Sequence, residues 1–264
     1  MKTNYHTHTF RCGHALKCLD EEYVLKAIEN NYNELGFTEH AMFSDIYNEY
    51  GMRPPYSDLN EYIETINYLK EKYKDKIKIY VGMECEYFKE YHDELKELLE
   101  TKKMDYLIFG NHFLAHKEGS IYTPKEIWCK EEYIYAYIAK AKEAMESKLF
   151  KIFAHPDFLY QFVNIWNDDI KIKFKELLEI AKKNNVAIEI NLGGFRRGIR
   201  EFDGEKRYPF PYLPLWEIVK EIGNKVVIGV DSHNPKEFDN HEEYQKAIDF
   251  AEKYGIQVEE RIEI

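Results

Sequence analysis

The chain has 264 residues, 44% of them apolar and 16% aromatic, enough to bury a sizeable core, and it reads as one α/β domain over 1–264. A net charge of −11 and a pI near 5.5 disfavour a broad basic surface that would hold nucleic acid by its phosphates. No apolar run approaches the roughly 20 residues that span a bilayer, and Cys12, Cys18, Cys85 and Cys129 form neither a CxxC pair nor a repeated framework. With no signal peptide at Met1-Lys2-Thr3, reduced thiols in a cytoplasmic, soluble protein are expected.

Lys2 to Thr7 is β-compatible and has no helix cap, so it predicts a strand whose His6 and His8 share one face. A loop with Cys12 and Gly13 then leads to His14. Leu19 to Asn31 has apolar residues at helical spacing, and Glu34 to His40 is a short strand ending in a histidine, followed by a polar, aromatic loop through Tyr56. Ser57 opens an amphipathic helix through Tyr73, and Ile77 to Glu84 is a strand ending in a carboxylate. His92 to Thr101 is helical, Tyr106 to His112 is a strand, Lys130 to Lys148 is helical, and Ile152 to His155 again ends in histidine. Ile170 to Asn184 is a helix, and the strand Val186 to Asn191 opens onto Gly193-Gly194-Phe195-Arg196-Arg197-Gly198. No helix is expected directly after Gly193-Gly194, which argues against a phosphate loop and for a hinge that lets the two arginines approach the site. Pro214 to Ile222 is helical, Lys225 to Val230 is a strand leading into Asp231-Ser232-His233, a helix follows from about His241 to Tyr254, and Ile256 to Glu260 is a short terminal extension.

This is a β-α unit repeated seven times, with strands apolar enough to be buried on both faces, which predicts a (β/α)7 or closely related barrel. An open doubly wound sheet is the structural alternative. In barrels, function sits at the C-terminal strand ends, and here those ends carry His6, His8, His14, His40, Glu84, His112, His155, Asp231 and His233. A single histidine near a strand end is more often a hydrogen-bonded surface or core group than a ligand. Seven of the ten histidines at such ends have no packing explanation, because imidazole fills apolar space poorly. Nine donors exceed the four that one zinc takes, so two or three ions are expected, and imidazoles with carboxylates suit Zn, Mn or Fe. Glu84 can bridge two ions, and such a cluster offers a bridging hydroxide and Lewis acids for displacement at phosphorus. Cys12 reads as a small loop residue, and Tyr133, Tyr135 and Tyr137 read as packing aromatics.

His6-x-His8, then His14, His40, Glu84, His112, His155 and Asp231-x-His233, resembles the motif set of the PHP (polymerase and histidinol phosphatase) family along essentially the whole chain. The Arg-Cys-Gly-His-Ala start, Thr38-Glu39-His40 and the Gly-Gly-Phe-Arg-Arg-Gly loop look most like its stand-alone histidinol-phosphate phosphatases. The resemblance implies a distorted TIM-like barrel and a trinuclear site. One metal would take His6, His8, Glu84 and Asp231, a second Glu84, His112 and His155, and the third His14, His40 and His233. It further implies catalytic work by Glu84, Asp231 and His233, and phosphate binding by Arg197 with Arg196. A second phosphate-binding arginine is not placed elsewhere. The implied activity is hydrolysis of L-histidinol phosphate, a small phosphomonoester, with no nucleic-acid or membrane partner. Alternatives with the same ligands are a nucleotide phosphoesterase or nuclease, a protein tyrosine phosphatase, or a non-catalytic metal-binding module.

Overall fold

The structure, a computed structural model, describes residues 1–45, 51–117 and 120–264, so part of the loop expected before Tyr56 lies outside the described residues. In chain order the elements are β1 (Thr3–Asn4), α1 (Asp20–Glu29), β2 (Glu34–His40), α2 (Leu59–Lys72), β3 (Lys78–Cys85), α3 (His92–Glu100) and β4 (Tyr106–Phe109). A hairpin β5 (Ala115–Lys117) and β6 (Ser120–Tyr122) precedes α4 (Glu131–Ser147), β7 (Ile152–Phe153), α5 (Asp168–Lys183) and β8 (Ala187–Asn191). Then come a short helix α6 (Leu192–Arg196), a second hairpin β9 (Arg200–Phe202) and β10 (Glu205–Arg207), α7 (Leu213–Ile222), β11 (Val226–Gly229) and α8 (His241–Tyr254).

Seven strands form one sheet in the order β1-β2-β3-β4-β7-β8-β11, and every neighbouring pair is parallel. The first and last strands meet just past their ends. His8 N donates to Ser232 O at 2.8 Å and Ser232 N to His6 O at 3.3 Å. The sheet is therefore a nearly closed barrel, as expected, and not an open doubly wound sheet.

Alternation along each strand separates two cores. On β3, Ile79, Val81 and Met83 join helix residues such as Tyr62, Ile66 and Leu177 in the outer core. Tyr80 belongs to the inner core with Tyr5, Tyr106, Ile108, Ile152 and Val227, against which Ile262 and Ile264 pack. The terminal extension thus returns to the barrel, and Val258 bridges Val226. By the same alternation Glu84 follows Tyr80 and Gly82 on the inner face, and Glu189 follows Ala187. Glycine makes the room: a Cβ at Gly229 would stand 1.8 Å from Glu189 Oε1, and one at Gly110 2.4 Å from Glu84 Oε1.

The first strand is shorter than expected because the Asn4 side chain bonds to Thr7 Oγ1 at 2.8 Å and to the carbonyl of His6 at 3.1 Å, taking partners from the ladder. The two hairpins were not expected. Their strands are short, and β9 and β10 are mostly charged, although Asp203-Gly204, with φ of 49° and 86°, is the legible turn signal. A helix also starts where none was expected, at Leu192. Asn191 caps it by accepting from Gly193 N at 2.8 Å, and Gly194 lets it lie on Phe210, whose carbonyl oxygen a Cβ would approach to 2.0 Å.

Candidate metal centre

Glu84, buried at the end of β3, is the hub of the barrel mouth. Its Oε1 lies 3.0 Å from His155 Nε2 and 3.5 Å from both His112 Nε2 and His6 Nε2. Its Oε2 lies 3.1 Å from His40 Nδ1 and 3.4 Å from His8 Nε2. Asp231 Oδ1 faces His8 Nε2 at 3.3 Å and His6 Nε2 at 3.5 Å from the other side. Asp231 adopts a left-handed backbone with φ of 51°, which aspartate tolerates better than most residues and which turns its carboxylate back over the barrel. His14, on an exposed loop, completes the cluster with ring centroids 4.4 Å from His233 and 5.3 Å from His40.

All nine residues singled out in the sequence therefore converge on one place; the His6 and His155 rings are 5.7 Å apart although 149 residues separate them in the chain. Donor atoms within 4.8 Å of one another come from His6, His8 and Asp231; from His6, Glu84 and His155; from His8, His40 and Glu84; and from His14, His40 and His233. The donor set fits divalent transition ions by an independent sign. Both ring nitrogens of His40, His233 Nε2 and Glu84 Oε2 are buried without a hydrogen-bond partner, an expensive arrangement unless a cation takes them up. Cys12 is buried with its sulfur within 4.8 Å of donors of His8 and His233, and burial and Glu39 push its thiol up, away from nucleophilic use.

Behind the ligands stand residues that sequence reasoning missed: Glu189 against His6 Nδ1, Glu86 against His112 Nδ1 and Glu39 against His8 Nδ1. Glu189 alone carried a legible hint, a charge inside an otherwise buried strand in Ile188-Glu189-Ile190. The other three histidines, His92, His116 and His241, lie elsewhere; His92 and His116 bond to Tyr87 and Tyr91. Tyr133 and Tyr137 are buried in the face that α4 turns to the core, as expected.

Close packing of carboxylates and imidazoles shifts both. Burial alone would lower His8, but the nearby carboxylates of Asp231, Glu39 and Glu84 outweigh it and bring its pKa to about 9. Burial would raise Glu84, yet His112, His6, His155 and His40 hold it well below the carboxylate range. The carboxylates thus favour the protonated form of His8, and a cation bound there would displace that proton. Zinc binding is expected to release protons, so its calorimetric enthalpy at pH 7 should differ between HEPES and Tris by the buffers' ionisation enthalpies. An enthalpy independent of buffer would contradict this.

The two arginines separate. Arg197 is exposed, its guanidinium 5.2 Å from the Phe210 ring centre and, across the bare Cα of Gly193, facing Asp231 Oδ2. Among the described residues its guanidinium has no hydrogen-bond or ion-pair partner. Arg196 is spent: it donates to the carbonyls of Val230 at 2.5 Å and Asp231 at 3.3 Å and pairs with Glu237 at 3.0 Å and Glu243 at 3.2 Å. Its donors are turned onto the end of β11, which leaves Arg197 the freer of the two expected phosphate ligands.

The PHP domain family model matches residues 4–192. A histidinol-phosphatase of Lactococcus lactis is 28% identical over 246 residues, covering 89% of this chain and 85% of that protein. A histidinol-phosphatase of Bacillus subtilis is 30% identical over 119 residues, 43% of this chain and 44% of that protein. Among solved structures, histidinol phosphate phosphatase of L. lactis, complexed with zinc, L-histidinol and phosphate, superposes with a TM-score of 0.71 at 23% identity, over 97% of this chain and 95% of that one.

Proposed function

The chain belongs to the PHP domain family, and on that premise we propose that it is a metal-dependent phosphomonoesterase that hydrolyses L-histidinol phosphate to L-histidinol and phosphate in histidine biosynthesis. The observation that carries this reading is the overlap of donor sets on Glu84 with a free arginine, Arg197, facing them across Gly193. The named relatives supply the substrate.

Three ions of Zn, Mn or Fe would suit the donors: His6, His8, Glu84 and Asp231 would hold the first, Glu84, His112 and His155 the second, and His14, His40 and His233 the third. Such ions supply Lewis acidity toward phosphoryl oxygens and a water of lowered pKa. The chain itself does the rest. Glu84 and Asp231 set the spacing of the sites, and Arg197 offers a guanidinium fork to the phosphate oxygens, which an acidic protein needs locally. No helix among the described residues is long and apolar enough to cross a membrane. The biosynthetic role proposed from the histidinol-phosphatases it resembles favours the cytoplasm.

Phosphate release from L-histidinol phosphate, a phosphotyrosyl peptide and a nucleotide, with Mn or Zn added, tests the reading. L-Histidinol phosphate should give the highest kcat/KM. Preference for either other substrate would overturn the substrate assignment, and no turnover of any would overturn the enzyme.

Among the described residues the one thiol beside the site is buried and held protonated, and the histidines there are assigned to the metals, which leaves water as the attacking group. Phosphate should therefore take one oxygen from solvent with inversion at phosphorus. Retention, or a trapped phosphohistidine, would point to a nucleophilic side chain instead.

A further inference from the structure

Glu39, Glu86 and Glu189 are no more than 1% exposed, so three charges are buried behind the centre where apolar residues would be the easier filling. Glu189 Oε1 lies 2.8 Å from His6 Nδ1, Glu86 Oε1 3.1 Å from His112 Nδ1 and Glu39 Oε1 3.6 Å from His8 Nδ1. Each of these rings turns its other nitrogen, Nε2, to Glu84. The carboxylates are themselves held. Glu189 Oε2 accepts from Asn191 Nδ2 at 2.9 Å and from His155 N at 3.0 Å, and Glu39 Oε2 accepts from Thr9 N at 2.9 Å. Glu86 pairs with Arg53.

The set His14, His40 and His233 is built differently. His233 Nδ1 lies 3.2 Å from the carbonyl of Asp231 and 3.5 Å from its Oδ1, and His40 Nδ1 lies 3.1 Å from Glu84 Oε2. Both of those carboxylates are already shared with the other sets. His14 is exposed on its loop, and among the described residues no further carboxylate backs any of the three rings.

We propose that Glu86 and Glu189 are positioning residues that commit His112 and His6 to bind metal through Nε2, with Glu39 adding a buried charge beside His8, and so divide the centre into two tightly held ions around Glu84 and one exchangeable ion at His14, His40 and His233. A carboxylate behind a histidine fixes its tautomer and raises its basicity as a ligand. Buried charge also attracts a cation far more strongly than a charge facing water does. Five carboxylates serve the first two sites, and the third has none of its own. An ion there also has to order an exposed loop.

The inference rests on the metal-dependent reading above, and its test contains no phosphoester, so a chain inactive on L-histidinol phosphate can still pass and an active one can still fail. The full chain, stripped by dialysis against a chelator, is titrated with Zn(II) in competition with a chromophoric chelator. The parent should bind two ions at least about 10-fold more tightly than a third. Glu189→Gln and Glu86→Gln should each weaken a tight step by roughly 10- to 100-fold, with Glu189→Asp partly restoring it. His14→Ala should abolish the weak step and keep both tight ones. Nitrogen shifts of the histidine rings should show Nδ1 protonated at His6 in the zinc-bound parent and mixed tautomers in Glu189→Gln. Three equal steps in the parent would overturn the proposal, as would parent-like zinc binding by Glu189→Gln and Glu86→Gln. Thermal unfolding identifies any variant that fails to fold, and the parent and His14→Ala titrations decide the matter without it.

Discussion

Glu84→Gln is expected to lower kcat/KM on L-histidinol phosphate by on the order of 10²- to 10⁴-fold and to leave at most one bound ion per chain. The substitution keeps the shape and removes the charge. Five imidazoles, those of His6, His8, His40, His112 and His155, have a nitrogen within 3.5 Å of this one carboxylate. Taking one partner out of a buried charged cluster costs about 3–5 kcal/mol, and each 1.36 kcal/mol lost at the transition state is a factor of ten. The same reasoning places the metal loss in the two sets that contain Glu84 and spares His14, His40 and His233. Elemental analysis beside steady-state kinetics checks both parts. A variant with its full complement of ions and more than a tenth of the parent's rate would show that Glu84 is not the shared ligand.

That hub was legible as a strand end, by the rule that put His40 and Asp231 at the mouth of the same barrel, and strand alternation placed His6 and His8 on one face. His112 and His155 were legible as strand ends, although β4 stops at Phe109 and β7 at Phe153, so both ligands stand on the loops just beyond. The glutamates were a different matter. Glu39 sits beside a ligand, Glu86 two residues after one, and Glu189 in a strand with no ligand at all, so only the closed barrel shows that each meets a ring from another strand or loop. The helix at Leu192 was hidden because two glycines disfavour a helix locally, and it forms through a side-chain cap and close packing on Phe210. Adjacent residues of one type are harder still. Nothing in the string Arg196-Arg197 says which one turns toward Val230 and which toward the metals.

The contrast between those two arginines yields the second large effect. Arg197→Ala should lower kcat/KM by on the order of 10- to 1000-fold, about 1.4–4 kcal/mol, which lies within what one or two charge-assisted hydrogen bonds at roughly 1.5–3 kcal/mol each supply, with metal content and thermal stability unchanged. Its guanidinium lies against Phe210 and Gly193 with no partner to strand, so its removal costs the phosphate and little else. Arg196→Ala should behave in the opposite way. It uncovers the carbonyls of Val230 and Asp231 and leaves Glu237 and Glu243 unpaired, at about 1–3 kcal/mol, or roughly 2–4 °C in Tm for each kcal/mol in a chain of this size. Because Asp231 holds its left-handed backbone next to those carbonyls, the Arg196 variant should also bind zinc more weakly, and any kinetic loss should be recovered by added metal. Kinetics at saturating and limiting zinc, with Tm for both variants, separate the two roles. If Arg197→Ala keeps the parent's kcat/KM, the phosphate is held elsewhere. If Arg196→Ala keeps the parent's stability and loses only affinity for phosphate, the two residues exchange roles, and the guanidinium that clamps β11 must leave its carbonyls to meet the substrate.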